Sequence, residues 1–179
     1  MDQLSSLLTV LLLIGCTVLL LVGYLFYKGK NELALEILIA ALVILFIYTP
    51  VSKLMKVDRY ISSMKAQPLY PSFRNFLIYA LPAVEFITVI ILAIPKYRKI
   101  GLYISLAMLI TFTGYISLIQ LNYYGRIPCS CGGVISALEW KGHLLFNLYF
   151  VAINIWALWI NRRIELNIKK GKPLRFSAG

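Results

Sequence analysis

Acidic side chains are scarce in this sequence: Asp and Glu number 7 against 18 Lys and Arg in 179 residues, of which 60% are hydrophobic. So little charge excludes a water-soluble globule, whose surface needs roughly 25% charged residues. Histidine occurs once, which excludes a metal centre built from several imidazoles. The 3 cysteines leave one over after any internal pair, so the chain has no disulfide framework, and a bridge here would serve chemistry rather than stapling. The period-two alternation of a transmembrane barrel is also absent.

What the chain has instead is apolar runs. Crossing about 30 Å of hydrocarbon takes roughly 20 helical residues, and runs of that length lie at 4–27, 33–52, 74–94, 99–122 and 143–160. The expected fold is an all-α integral membrane protein with a four-helix transmembrane core and one extra N-terminal transmembrane helix. The expected organisation is the extra helix in 1–30, the bundle in 31–161 with an interfacial segment at 53–74, and a basic cytoplasmic tail in 162–179. That tail is expected not to fold alone but to rest on the leaflet. Although Leu13-Ile14-Gly15-Cys16 has the look of a lipoprotein box, no basic residue precedes the first run, and the run continues past Cys16. It reads as a retained helix with Cys16 buried and inert.

A net charge of +11 would suit nucleic acid, but the basic residues sit at the ends of the runs, where lipid headgroups take them. Nucleic acid is not an expected partner; membrane lipid is. With the N-terminus outside, eleven Lys and Arg fall on the cytoplasmic side and seven outside, which puts the loop around residue 130 outside. Five of those seven belong to the 53–74 segment. There Leu54, Val57, Ile61 and Met64 recur at helical spacing against Lys56, Arg59 and Lys65, the pattern of a short helix in the headgroup plane.

Two places invite chemistry. Pro128-Cys129-Ser130-Cys131-Gly132-Gly133 holds two thiols one residue apart, able to close a small strained ring of the readily exchanged kind. Ser136-Ala137-Leu138-Glu139 reads as a capping box. The helix it opens carries Trp140, His143 and Asn147 on adjacent turns, and its positive N-terminal end together with a protonated His143 would favour a thiolate. A structural clip and a copper(I) site are the alternatives for the pair. Glu85 is the second place, because a carboxyl within a transmembrane run faces the bundle interior and has a partner or a task; Tyr115, Asn122 and Lys53 are the candidate partners. Pro82 in the same run is expected to kink its helix. The second helix is expected to end in Pro50-Val51-Ser52-Lys53, and Gly114 with Ser117 offers a surface for close helix contact.

Four of these features, Ser52-Lys53, Leu81-Pro82-Ala83-Val84-Glu85, the Cys129–Cys131 segment, and Trp140 with His143, Leu144 and Asn147, occur in an order that resembles the MauE/DoxX family of redox-associated membrane proteins over about residues 33–160. The resemblance implies a four-helix membrane core, distantly similar to the vitamin K epoxide reductase bundle, in the bacterial cytoplasmic membrane. It also implies a role in forming disulfides in, or maturing, exported redox proteins. Cys129 and Cys131 become the exchange pair, His143 and Glu85 accessory catalytic positions, and the partner an exported or periplasmic redox protein or a thioredoxin-like protein. The spacing is Cys-x-Cys rather than Cys-x-x-Cys, and no cofactor motif stands out; a quinone has no residue pattern in its favour. The competing readings are a non-enzymatic membrane subunit that anchors a partner, and a copper or small-molecule transporter centred on Glu85.

Overall fold

A computed structural model describes the backbone of residues 2–123 and 140–170 and the side chains of residues 15–123 and 142–170. The described elements are helices: α1 (Asp2–Tyr27), α2 (Asn31–Met55), α3 (Val57–Lys65), α4 (Pro71–Ala93), α5 (Arg98–Gln120) and α6 (Trp140–Lys169), with a single 3₁₀ turn at Pro95–Tyr97. Four of them, α2, α4, α5 and α6, are long and apolar enough to cross a membrane, and α1 adds a shorter apolar stretch over Gly15–Tyr27.

The four long helices close a ring in which α2 packs on α4 and α6, and α5 packs on α4 and α6. On α2, Ala34, Leu35, Leu38, Ile39, Leu42, Leu45 and Phe46 are buried, the three-and-four spacing of a wide core stripe. Facing stripes come from Ile78, Pro82, Glu85, Thr88 and Leu92 on α4 and from Ile153, Asn154, Ala157 and Ile160 on α6. Gly101 lets α5 close on α4, since a Cβ there would stand 3.0 Å from the Leu92 side chain and backbone nitrogen. At mid-bundle the buried Asn154 amide joins α6 to α5, its oxygen accepting from Ser105 Oγ (2.6 Å) and its nitrogen donating to the Leu102 carbonyl (3.1 Å). Outside the ring, α1 lies against α2 and reaches α6 through the Tyr149 hydroxyl, which donates to the Gly15 carbonyl at 2.9 Å.

Two helix ends are closed by the same device. After α1, Gly29 takes φ +76°, and the N–H groups of Lys30 and Gly29 return to Leu25 and Phe26 carbonyls at 2.9 and 3.0 Å. After α5, Asn122 takes φ 55°, and Tyr123 and Asn122 return to Leu118 and Ile119 at 3.1 and 3.0 Å. Both are left-handed caps, made by the two residue types that adopt that conformation most cheaply.

Because consecutive long helices run antiparallel, the bundle has two distinct ends. The loop end gathers the C-termini of α2 and α5, the N-termini of α4 and α6, and α3; residues 124–139, with Cys129 and Cys131, connect α5 to α6 there. The basic end gathers the remaining termini and is tied by Arg98 on Glu36 (2.5 and 3.0 Å) and Lys99 on Glu165 (2.8 Å).

Several sequence expectations need correction. Helix α2 runs through Pro50 and ends at Met55, just past the expected end in Pro50-Val51-Ser52-Lys53, as membrane helices can when neighbouring groups tolerate the missing N–H. Helix α6 runs on to Lys169 rather than ending near 160, with Glu165 held by Lys99 and by Asn161 Nδ2 (3.1 Å). Cys16 is exposed on α1 rather than buried. Gly114 has nothing within 4 Å of a built Cβ, so the close helix contact falls to Gly101 instead. Of the stripe Leu54, Val57, Ile61 and Met64, Met64 is buried beside Tyr60 and Ser63 and Ile61 packs against them, while Leu54, still on α2, and Val57 are exposed.

Candidate functional site at the loop end

Tyr60, which the expected stripe left out, is buried for a reason that lies on α4. Pro82 lacks an N–H, so the carbonyl four residues earlier, that of Ile78, loses its helical partner. Tyr60 replaces it: its hydroxyl donates to Ile78 O at 3.1 Å and lies 3.3 Å from Leu77 O. The proline defect therefore doubles as the socket that docks α3. A second fastener follows at Gln67, which is 1% exposed; its Nε2 donates to Ser63 O at 3.2 Å and its Oε1 accepts from the Tyr115 hydroxyl of α5 at 2.5 Å. Arg74 caps the end of α3, donating to the carbonyls of Lys65 and Gln67.

Beneath α3 lies a buried ion pair. Lys53 Nζ stands 2.6 Å from Glu85 Oε1, with side-chain exposures of 11% and 3%. Helical side chains lean toward their own N-terminus, so Lys53 on α2 points inward and Glu85 on the antiparallel α4 points outward, and the two meet. Of the three partners considered for Glu85, the structure selects Lys53; Tyr115 goes to Gln67 instead. The Tyr60 ring lies 5.8 Å from Lys53 Nζ, which connects the socket to the pair. Thr49 faces the same carboxylate, yet Thr49 Oγ1 and Glu85 Oε2 are buried without hydrogen-bond partners among the described residues. A carboxylate with one oxygen committed and the other dry is held by charge more than by a full hydrogen-bond set.

His143 occupies the first turn of α6 and is half-buried. No hydrogen bond or ion pair links it to Glu85, whose contacts go to α2. Cys129, Cys131 and the capping residues 136–139 lie outside the described residues, as do the side chains of Trp140 and Lys141. Among the described residues, no group of three His, Cys, Asp or Glu side chains gathers to hold a metal ion. Sequence reasoning found Lys53 and Glu85 but missed Thr49, Tyr60 and Gln67. Only Tyr60 had a legible signal, since Pro82 announces an orphaned carbonyl in need of a donor.

Four long apolar helices around a polar loop end define a multi-pass helical membrane protein. The family model for methylamine utilisation protein MauE matches residues 30–160, and the chain belongs to that family. The match reaches from α2 into α6 and leaves out α1 and the last turns of α6. No curated protein and no solved structure matches this chain.

Proposed function

We propose that this chain is a maturation factor of the bacterial cytoplasmic membrane that supports disulfide formation in an exported redox partner by exchange through Cys129 and Cys131. The observation that carries the reading is convergence at one end of the bundle: the chain bearing the cysteine pair leaves α5 and enters α6 at the same end where the first turn of α6 holds His143 and where α3 is fastened. Membership of the MauE family supports the same reading. In the exchange, a partner thiolate attacks one sulfur of the Cys129–Cys131 disulfide and forms a mixed disulfide. The partner's second thiolate then displaces the bound cysteine, so two electrons pass to the pair and the two protons released by the partner end on its thiols. His143 favours the thiolate forms. Regeneration falls to a thioredoxin-like disulfide protein on the non-cytoplasmic side, where the bias of basic residues puts the loop.

Changing Cys129 and Cys131 together to serine is expected to abolish the partner's disulfides while the helical circular dichroism and melting of the purified chain stay as in wild type. Partner disulfides that form normally in that double variant refute the exchange role. The second reading, a non-enzymatic subunit that holds a partner, is favoured by one observation: Glu85 is committed to Lys53 inside the bundle, as a structural ion pair would be.

A further inference from the structure

At the basic end, the carboxylates are Glu32, Glu36 and Glu165, and two of them are already engaged, Glu36 by Arg98 and Glu165 by Lys99. The other basic side chains there far outnumber Glu32, and their countercharge must come from outside the chain. One of them is organised. The Arg163 guanidinium lies 4.2 Å from the Trp159 ring centroid and 5.3 Å from that of Phe26, and the two rings are 5.1 Å apart. A guanidinium resting with its carbon over ring faces keeps its N–H edge free for an oxyanion, and its orientation is fixed before any ligand arrives. No carboxylate among the described residues pairs with it.

The surface leading away from this guanidinium is apolar. Ile155, Trp159 and Arg163 are spaced four residues apart and so share one stripe of α6. Ile155 and Trp159 are 53% and 43% exposed. That wall extends about 12 Å from the guanidinium toward mid-bundle, which suits an acyl chain and has no use for an ion in solution. Across the seam α1 contributes Phe26, and an adjacent exposed ring, Tyr24, carries Lys28 at 5.8 Å.

We propose that Arg163, seated on Phe26 and Trp159, binds the phosphate of an anionic phospholipid at the seam between α1 and the end of α6. Phe26 and Arg163 fall outside residues 30–160, the span the family model matches, while Trp159 lies inside it, so the site joins α1 to the family core and gives α1 a task. It rests on no part of the redox reading.

The test uses the full chain purified in dodecyl maltoside, incubated with dioleoyl phosphatidylglycerol or dioleoyl phosphatidylcholine, with bound lipid counted by native mass spectrometry. Wild type is expected to retain phosphatidylglycerol in excess over phosphatidylcholine. Arg163→Gln is expected to cut that retention about fivefold, the factor one basic residue supplies at an anionic surface. Arg163→Lys, which keeps the charge but not the planar fork, is expected to lose most of the excess. It also decides the matter if melting shows that Arg163→Gln is unfolded. Arg162→Gln, one charge fewer at a neighbour with no ring contact, is expected to stay near wild type. Equal retention of the two lipids, unchanged retention in both Arg163 variants, an equal loss in Arg162→Gln, or displacement of the lipid by millimolar inorganic phosphate overturns the proposal.

Discussion

The Lys53–Glu85 pair makes an asymmetric prediction. Both side chains are buried, but their escape routes differ: Lys53 stands two residues before the end of α2, whereas Glu85 sits well inside α4. A lysine that loses its partner near a helix end can swing its ammonium out to the headgroups. A mid-helix carboxyl cannot. Lys53→Met therefore strands Glu85 and should cost about 3–5 kcal/mol, the penalty for leaving one member of a buried pair alone. Glu85→Gln should cost only the charge-assisted hydrogen bond, about 1.5–3 kcal/mol, because Lys53 relocates. The double variant has no charge left to strand and should resemble Glu85→Gln, so the two single effects fail to add by about 3–5 kcal/mol, the full cost of Lys53→Met. At about 2–4 °C per kcal/mol for a chain of this size, Lys53→Met melts on the order of 10 °C below wild type in detergent, and the double variant recovers much of that loss. Additive single effects, or a Glu85→Gln variant weaker than Lys53→Met, would refute the argument from burial and reach.

Two further predictions concern helix packing and can be read in the same melting assay. Tyr60→Phe removes the donor to the Ile78 carbonyl and should cost about 1–3 kcal/mol for an unsatisfied buried acceptor; adding Pro82→Ala restores a backbone N–H to that carbonyl and should return part of the loss, and a pair with no rescue would show that the proline defect is not what Tyr60 serves. Gly101→Ala sets a methyl 3.0 Å from Leu92 and should cost about 1–3 kcal/mol. Gly114→Ala enters open space on a helix and should be neutral or stabilising by up to about 1 kcal/mol, so equal effects at the two glycines would count against the α4–α5 contact.

How legible each feature was depended on whether its cause lay in its own segment. The spans were readable because each run of apolar residues carries its own reason to be helical in lipid. Glu85 was readable because a carboxyl inside such a run demands a partner, although spacing alone left three candidates and only the lean of antiparallel helices singled out Lys53. On α3 the local pattern picked out Ile61 and Met64, which do pack inward, but missed Tyr60, because the group that buries it, the carbonyl opened by Pro82, lies on another helix. Gly101 and Gly114 look alike in sequence; one has Leu92 beside it and the other does not. The cysteine pair, outside the described residues, still rests on its spacing and on the family match.

The polar groups at the loop end share a pattern. In hydrocarbon each unsatisfied polar atom costs several kcal/mol, so a bundle that needed only to span the membrane would gain by making this region apolar. Instead, Tyr60, Gln67 and Arg74 each tie α3 or the turn after it to a different place: Tyr60 to α4, Gln67 to α5 through Tyr115, and Arg74 to the carbonyls of Lys65 and Gln67. Tyr115 lies little more than a turn before the end of α5, which Asn122 then closes with a left-handed cap. The consequence is that the point from which the cysteine segment departs is fixed relative to α3 and α4 by hydrogen bonds, while α6, where the segment returns, packs along α5. For the exchange proposed above, the segment works reproducibly only when its supports do not drift. Polar fasteners of this kind gain directionality that apolar packing between lipid-facing helices does not supply. On this argument α3 is the brace of the loop end, and the Lys53–Glu85 pair beneath it keeps α2 and α4 in the register that the brace requires.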